Sequence, residues 1–187
     1  MNIALFFGSF NPIHNGHIHI ANYILSIGIC NEVWFVVSPQ NPLKENKTLL
    51  DENLRLKLTN KAIKAYCNIK VCDVEFNLTK PSYTYNTLKI LKEKHKDCNF
   101  HLIIGGDNLS IFHKWRDNDK ILKEFKLIVY PREGVLKIES DKPNVIILNA
   151  ALKNISSTEI REEIKKDKNI ANLVPDSIID DVLDFYS

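Results

Sequence analysis

Short apolar runs alternate with stretches of helical spacing along the whole chain, and this alternation restricts the fold more than any other feature. Several runs are nearly continuous in Val, Ile and Phe, which is typical of parallel strands covered on both faces. The predicted strands are residues 3–7, 33–37, 69–76, 100–104, 126–130 and 145–148. The predicted helices are residues 16–26, 51–66, 83–95, 118–123, 156–166 and 175–186. The alternation predicts an α/β fold with a doubly wound parallel sheet.

Length, charge and hydropathy limit the class of protein. A chain of 187 residues suits one domain with a full core, spanning residues 1–187. Its 25 basic and 23 acidic residues give a formal net charge of +2 without a long block of one sign, which argues against nucleic-acid binding. No apolar run reaches the roughly 18 residues of a membrane span, and the N-terminus lacks a secretory leader. We therefore expect a cytoplasmic protein without a membrane partner.

The four cysteines form no recognisable framework. Cys30, Cys67, Cys72 and Cys98 are irregularly spaced and include no CxxC pair. This spacing argues against a zinc site and against a disulfide framework. Reduced, partly buried thiols are expected.

The segment that joins the first predicted strand to the first predicted helix reads GSFNPIHNGH over residues 8–17. Gly8 lets the backbone approach a phosphate, and a helix N-terminus offers unpaired amides, so an anion site is expected here. His14 and His17 could converge on one phosphate and donate hydrogen bonds to its non-bridging oxygens. The alternative is that one histidine caps the helix, the other is solvated and Gly8 only makes a turn.

A second segment of interest, ISSTEIR, covers residues 155–161. Ser156 or Ser157 with the downstream Glu159 is typical of a helix cap. With Arg161 about one turn further, the same residues would form a second phosphate cradle, because a guanidinium binds anionic oxygens well. A plain cap with a solvated arginine is the alternative.

Together the two segments resemble the HxGH nucleotidyltransferase superfamily, which carries both motifs in this order. Over essentially its whole length the chain resembles the bacterial nicotinate mononucleotide adenylyltransferases. The segment PSYTYNTL at residues 81–88 is similar to the family's substrate side, and GGDN at 105–108, with Trp115, to its nucleotide side. The chain departs from the family at Asn11, where Asp is frequent. This loss of a charge beside a phosphate site is expected to leave function intact.

The resemblance implies a Rossmann-like, doubly wound parallel sheet in one domain with a small C-terminal helical part. It also implies an enzyme of NAD biosynthesis that transfers the adenylyl group of ATP to nicotinate mononucleotide, giving nicotinate adenine dinucleotide and pyrophosphate. The reaction is expected to be a direct in-line attack without a covalent intermediate. Mg²⁺ would arrive with ATP, carried by phosphate oxygens and water, so no protein metal site is expected. Only small-molecule partners are implied, and homo-oligomer formation stays open.

The site residues follow from the same resemblance. The catalytic residues would be His14, His17 and Arg161. The ATP-binding residues lie in the two motifs and after the fourth strand: Gly8, Ser9, Phe10, Gly16, Gly105, Asp107, Ile155, Ser156, Ser157 and Thr158. The mononucleotide-binding residues follow strands or lie in the intermediate segments: Asn41, Lys44, Thr84, Gly106, Asn108, Trp115 and Arg132.

Several of these residues also have simpler interpretations. Asp107 could accept hydrogen bonds from ribose hydroxyls or cap the next helix. Trp115 could stack on a pyridine ring or belong to the core.

Other functions remain open as well. One is adenylyl transfer to nicotinamide mononucleotide or pantetheine phosphate, and another is a module that binds ATP without consuming it. The choice between the nicotinate and the nicotinamide mononucleotide depends on a few donors around one carboxylate, and the sequence leaves it open.

Overall fold

Six parallel strands form the centre of the fold. The computed structural model describes residues 1–40, 49–131, 143–149 and 155–187. The strands are β1 (Asn2–Gly8), β2 (Glu32–Val37), β3 (Ile69–Cys72), β4 (Asn99–Gly105), β5 (Lys126–Tyr130) and β6 (Val145–Ile147). They pair in the order β3-β2-β1-β4-β5-β6, and every pair is parallel. The predicted doubly wound sheet is therefore confirmed.

Helices connect and cover these strands. They are α1 (Asn15–Ser26), α2 (Glu52–Ile63), α3 (Thr84–Lys94), α4 (Gly106–Ser110), α5 (Asn118–Glu124), α6 (Ser157–Ile164) and α7 (Ile179–Tyr186). The predicted third strand is too long, because the chain leaves the sheet after β3 and makes a 3₁₀ turn at Val74–Asn77. The short helix α4 has no counterpart among the predicted helices, since five residues carry no periodic pattern.

The sheet is buried on both faces, which explains why its strands are nearly continuous in apolar residues. Along β1, Ala4 and Phe6 join a core cluster under α1, α2, α6 and α7, whereas Ile3 and Leu5 join a cluster under α3 and α5. Each such side chain stabilises the fold by roughly 1.5–3 kcal/mol when it is fully buried. The central strands therefore fix the position of the loops that leave them.

The strand order reverses at β1, which lies between β2 and β4. Crossovers on either side of this point run to opposite faces, so the loops after β1 and β4 diverge and leave a crevice between them. The predicted motif at residues 8–17 contains the loop after β1, and the one at residues 105–108 covers the end of β4 and the first turn of α4.

Two further observations concern the chain as a whole. Among the described residues, no helix has the length and apolar character needed to cross a membrane. All four cysteines are unpaired, and they range from buried Cys30 to exposed Cys67. Burial raises the pKa of the Cys30 thiol to about 12, so this side chain behaves as a small apolar group.

Candidate active site

The two histidines of the loop after β1 lie against each other at the start of α1. Their rings stack with centroids 3.6 Å apart and planes 26° apart. Nδ1 of His17 accepts a hydrogen bond from the main-chain N–H of His14 at 3.3 Å. An accepting Nδ1 places the proton of a neutral imidazole on Nε2, so Nε2 of His17 is a donor. His14 is only 4% exposed and is the N-cap of α1, so the predicted alternative of a capping histidine is confirmed for it. His17 is half-buried rather than solvated.

Aromatic packing fixes the shape of this loop. Phe10 has a positive φ of 45°, a conformation that costs a non-glycine residue about 1–3 kcal/mol. Its ring packs edge-on against Phe35 at 5.2 Å and against His17 at 5.0 Å, which compensates for the strain. Because the Phe10 side chain is 2% exposed, only its main chain is placed to meet a nucleotide. The predicted ATP contact therefore cannot involve the ring.

Two glycines are required by close approach within the same loop. A Cβ at Gly8 would lie 3.0 Å from the Phe10 ring. A Cβ at Gly16 would lie 3.0 Å from Nδ1 of His14 and 3.6 Å from Cβ of Ile155. The second contact already brings the start of the ISSTEIR segment against the HxGH loop.

The N-terminus of α6 is bound directly to the loop after β1. Ser156 is the N-cap, and its hydroxyl accepts a hydrogen bond from the N–H of Glu159 at 3.1 Å, as one of the two predicted caps requires. The hydroxyl of Ser157 donates to the carbonyl of Pro12 at 2.9 Å. The start of α6 therefore touches the loop two residues before His14.

Arg161 joins the same two elements. Its Nη1 donates to the carbonyls of Asn11 at 2.6 Å and Ser157 at 3.1 Å, and Nη2 donates to the hydroxyl of Thr158 at 3.3 Å. The side chain is half-buried rather than fully solvated. The two predicted motifs thus form one contiguous surface that carries hydroxyls, imidazoles and a guanidinium.

A pocket of about 340 Å³ opens at the carboxyl ends of β1 and β2, and it meets this surface at Gly8 and Ser9 rather than at the histidines or Arg161. Its lining includes Gly8, Ser9, Ser38, Thr84, Asn108 and Trp115. The volume falls within the range of about 300–1,000 Å³ that small-molecule sites occupy. Five residues of the predicted nucleotide and mononucleotide sets lie in this lining and are therefore close together: Gly8, Ser9, Thr84, Asn108 and Trp115.

Trp115 combines features of both interpretations given to it. Its ring packs against Phe112 at 5.3 Å, yet it also lines the pocket. The indole Nε1 is buried and has no hydrogen-bond partner among the residues that the structure describes. A buried donor of this kind normally finds a partner, which makes the lack of one here exceptional.

The end of β4 is shaped by glycine. A Cβ at Gly105 would collide with Oδ1 of Asp107 and lie 3.2 Å from the Tyr130 side chain. Asp107 is the second residue of α4, whose N-cap is Gly105, so Asp107 does not cap this helix. Gly106 is buried, and Asn108 faces the pocket. The remaining predicted mononucleotide residues, Asn41, Lys44 and Arg132, lie outside the described residues.

Four side chains around the site were not predicted from the sequence. Lys114 and Arg116 add positive charge to the pocket, and the Arg116 guanidinium lies 4.6 Å above the ring of Tyr83. Beneath the loops, Arg55 is completely buried, and the hydroxyl of Tyr186 donates to Oδ1 of Asn11 at 2.7 Å. Burial raises the pKa of Tyr186, which keeps its phenol protonated as a donor.

One of these residues left a signal in the sequence. Arg55 occupies a helix position three residues before Leu58 and seven before Ala62, both of which are buried. A charged residue on the apolar stripe of a helix predicts a buried, fully hydrogen-bonded cation. Tyr186, the residue before the C-terminus, gave no comparable indication.

Comparisons with known proteins find relatives over nearly the whole chain. The cytidylyltransferase-like family model matches residues 5–163. A probable nicotinate-nucleotide adenylyltransferase of Flavobacterium psychrophilum is 45% identical over 181 residues, covering 95% of this chain and 94% of the relative. One of Bacteroides fragilis is 44% identical over 168 residues, covering 89% and 84%.

Solved structures show the same fold. The nicotinic acid mononucleotide adenylyltransferase of Plasmodium falciparum, complexed with NaAD, superimposes with a TM-score of 0.79 at 24% identity and covers 98% of both chains. A putative nicotinate-nucleotide adenylyltransferase of Vibrio parahaemolyticus superimposes with a TM-score of 0.73 at 24% identity, covering 97% of this chain and 98% of that one. At this level of identity the likeness establishes the Rossmann-like architecture.

Proposed function

Because the chain belongs to the nicotinate-nucleotide adenylyltransferase family, within the cytidylyltransferase-like nucleotidyltransferases, we propose that it transfers the adenylyl group of ATP to nicotinate mononucleotide. The products would be nicotinate adenine dinucleotide and pyrophosphate. One observation carries the proposal: the HxGH loop and the N-terminus of α6 are hydrogen-bonded to each other beside a pocket that suits a small molecule. A phosphate chain and a phosphate acceptor can therefore meet at one edge of the sheet.

The triphosphate of ATP would bind where the two motifs touch. Nε2 of His17 and the guanidinium of Arg161 are donors, and His14 is stacked on His17 at this point. The helix N-terminus of α6 adds unpaired amides and a partial positive charge, with the hydroxyls of Ser156 and Thr158 beside them. Such donors stabilise the charge that develops on the α-phosphate oxygens during attack.

The rest of the proposed ATP set lies around these donors. Gly8, Ser9 and Gly16, with the main chain of Phe10, would allow close approach of the phosphates, and Ser157 and Ile155 belong to the α6 side of the same surface. Gly105 and Asp107 follow β4, where the Asp107 carboxylate would accept hydrogen bonds from ribose hydroxyls.

The chemical step would be an in-line displacement. A phosphate oxygen of the mononucleotide attacks the α-phosphorus of ATP, the new phosphoanhydride bond forms, and the bond to the bridging oxygen breaks to release pyrophosphate. The attacking phosphate is already ionised at neutral pH, so no general base is needed. Catalysis then consists of positioning and charge stabilisation, without a covalent enzyme intermediate.

Magnesium would enter with ATP as part of the substrate complex. Among the described residues no group of three or more His, Cys, Asp or Glu side chains is placed to hold a metal ion. In the proposed complex, phosphate oxygens and water would be the ligands of the ion.

The mononucleotide would occupy the pocket at the ends of β1 and β2. The Trp115 ring would stack on the pyridine, with Thr84, Gly106 and Asn108 nearby. Asn41, Lys44 and Arg132 are proposed for its phosphate by the family resemblance.

The positive charge of the pocket favours nicotinate mononucleotide over nicotinamide mononucleotide. Lys114 and Arg116 bring two cations to the pocket, against the buried carboxyl of Glu75, which is engaged by the hydroxyl of Thr87 at 2.7 Å. A carboxylate on the pyridine ring would be attracted to this surface, whereas a neutral carboxamide would not.

The proposed function is tested with a panel of phosphate acceptors at matched concentrations, with ATP and Mg²⁺, and pyrophosphate release as the readout. We expect nicotinate mononucleotide to be used with the highest kcat/KM, ahead of nicotinamide mononucleotide and pantetheine phosphate. A higher value with pantetheine phosphate would replace the proposed acceptor. Tight ATP binding without pyrophosphate release from any acceptor would indicate a nucleotide-binding module instead.

Substitution of Arg116 with glutamine should weaken the preference for the acid. We expect kcat/KM to fall about 3–10-fold for nicotinate mononucleotide and by less than about twofold for nicotinamide mononucleotide, because one partly solvated charge is worth roughly 1 kcal/mol. Steady-state kinetics with both acceptors measures the ratio. Lys123→Gln, an exposed change in α5, is the matched control, and an unchanged ratio in Arg116→Gln would assign the preference to other donors.

The remaining predictions concern the whole molecule. We propose that residues 1–187 form one domain, supported by the contact of Tyr186 in α7 with Asn11 in the loop after β1. The cytoplasmic location stays a prediction, and homo-oligomer formation stays open.

A further inference from the structure

Arg55 in α2 reaches three separate segments of the chain from a completely buried position. Its Nε donates to the carbonyl of Leu50 at 2.8 Å. Nη1 donates to the carbonyls of Ser9 at 2.5 Å and Ser38 at 2.9 Å, and Nη2 donates to that of Pro39 at 2.9 Å. One planar guanidinium thus joins the loop after β1, the loop after β2 and the turn before α2.

Stability of the fold alone does not explain this arrangement. Within the described ranges, no carboxylate lies within 4.0 Å of the Arg55 guanidinium. Its charge is therefore compensated by the dipoles of main-chain carbonyls. Burial lowers the pKa of Arg55, which reflects the cost of removing this cation from water. Apolar side chains of similar volume usually stabilise a core as well as buried ions do. The position of the carbonyls, rather than the burial itself, is what Arg55 contributes.

The carbonyls that Arg55 holds belong to the active site. Ser9 and Ser38 both line the pocket proposed for the mononucleotide. Ser9 also begins the segment that ends at His14. The guanidinium therefore lies beneath the pocket and ties its two sides together.

A second set of hydrogen bonds extends this support to the C-terminus. The N–H of Leu50, whose carbonyl binds Arg55, donates to Oδ1 of Asn11 at 3.1 Å. The same oxygen accepts the hydroxyl of Tyr186 at 2.7 Å, and the carbonyl of Asn11 accepts Nη1 of Arg161 at 2.6 Å. Asn11 is thereby held from the turn before α2, from α6 and from α7 at once.

We propose that Arg55 is a positioning residue for adenylyl transfer, and that Asn11 and Tyr186 complete the same support. Arg55 fixes the loop after β1 against the loop after β2, and so sets the distance between the acceptor pocket and the histidines. It touches no substrate, and the inference rests on the proposed function. An error of about 1 Å in such a placement costs about 10²-fold in rate.

Arg55→Lys is the first test, because lysine keeps the charge but cannot donate in a planar fork to carbonyls on three segments. We expect the KM for nicotinate mononucleotide to rise at least about 10-fold, and the Kd for ATP alone, measured by calorimetry, to change by less than about threefold. The control is Leu58→Ala, a buried change one turn further along α2 whose apolar side chain forms no hydrogen bond to either loop. It should lower Tm at least as much while KM stays within about threefold.

Asn11 supplies a test that leaves Arg55 in place. Asn11→Asp keeps the oxygen that accepts from Tyr186 and Leu50, whereas Asn11→Ala removes it. We expect Asn11→Asp to retain kcat/KM within about threefold and Asn11→Ala to lose at least about 10-fold, with Tyr186→Phe between them. Equal losses in the Asp and Ala variants would overturn the part of the proposal that concerns Asn11.

The outcomes separate this inference from the function on which it rests. A wild-type protein that uses no phosphate acceptor overturns both. Two results with an active wild type would overturn the role of Arg55 alone. One is an Arg55→Lys variant that keeps the wild-type KM, and the other is a Leu58→Ala control whose KM rises in proportion to its fall in Tm. If Arg55→Lys does not fold, the Asn11 and Tyr186 variants decide whether the support beneath the loops positions the site.

Discussion

Replacing His17 with alanine is expected to lower kcat by about 10²-fold or more. Nδ1 of this imidazole accepts the N–H of His14, so Nε2 would be the nitrogen that donates to a phosphate in the proposed mechanism. Removal of one preorganised donor from an oxyanion site typically costs about 10²–10³ in kcat, or about 2.7–4 kcal/mol of transition-state stabilisation. The measurement is pyrophosphate release at saturating ATP and nicotinate mononucleotide.

Two further variants are needed to interpret the His17→Ala result. His17→Gln retains an N–H donor near the place of Nε2 and should recover part of the lost rate. Asn22→Ala, an exposed change on the same helix, should leave kcat within about twofold. Because the His17 ring packs against Phe6 at 5.6 Å and Phe10 at 5.0 Å, Tm is recorded alongside. Wild-type turnover in a folded His17→Ala protein would refute the role.

The architecture could be predicted because the signal that determines it is local. In β1, successive side chains enter opposite core clusters, so the strand had to be apolar at every position from Ile3 to Phe6. The same reasoning failed after β3, where Val74 and Phe76 continue the apolar pattern although the backbone has turned into a 3₁₀ helix. Apolar composition reports burial, and it distinguishes a strand from a turn packed on the core only when the run is long.

The site was predictable to the extent that its chemistry is concentrated in short segments. His14, His17 and Arg161 stand in two motifs whose spacing can be read directly, and Ser156 caps α6 as its position indicates. The support beneath them depends on pairs far apart in sequence, such as Tyr186 with Asn11, 175 residues away. No periodicity in either segment encodes that contact. It follows from how α7 folds back on the sheet.

Substitution of Arg161 is expected to reduce activity by the same order as substitution of His17, but for a different physical reason. Its guanidinium serves two functions at once, since it binds the carbonyl of Asn11 in the first motif and would bind the triphosphate in the proposed complex. Arg161→Lys preserves the charge but not the fork, and we expect kcat/KM for ATP to fall about 10²-fold, equivalent to about 2.7 kcal/mol. Lys165→Ala, at the exposed C-terminal end of the same helix, is the control.

The decisive experiment combines His17→Ala with Arg161→Lys. If both residues hold one triphosphate, the first substitution already misplaces the phosphates, and the second should cost much less than it does alone. Residues that act as a unit in catalysis show this non-additivity, whereas independent sites add within about 0.5 kcal/mol. The cycle is measured as kcat/KM for ATP in the wild type, both single variants and the double variant. Strict additivity would mean that the imidazole and the guanidinium bind different groups, and the shared triphosphate site between the HxGH loop and α6 would have to be abandoned.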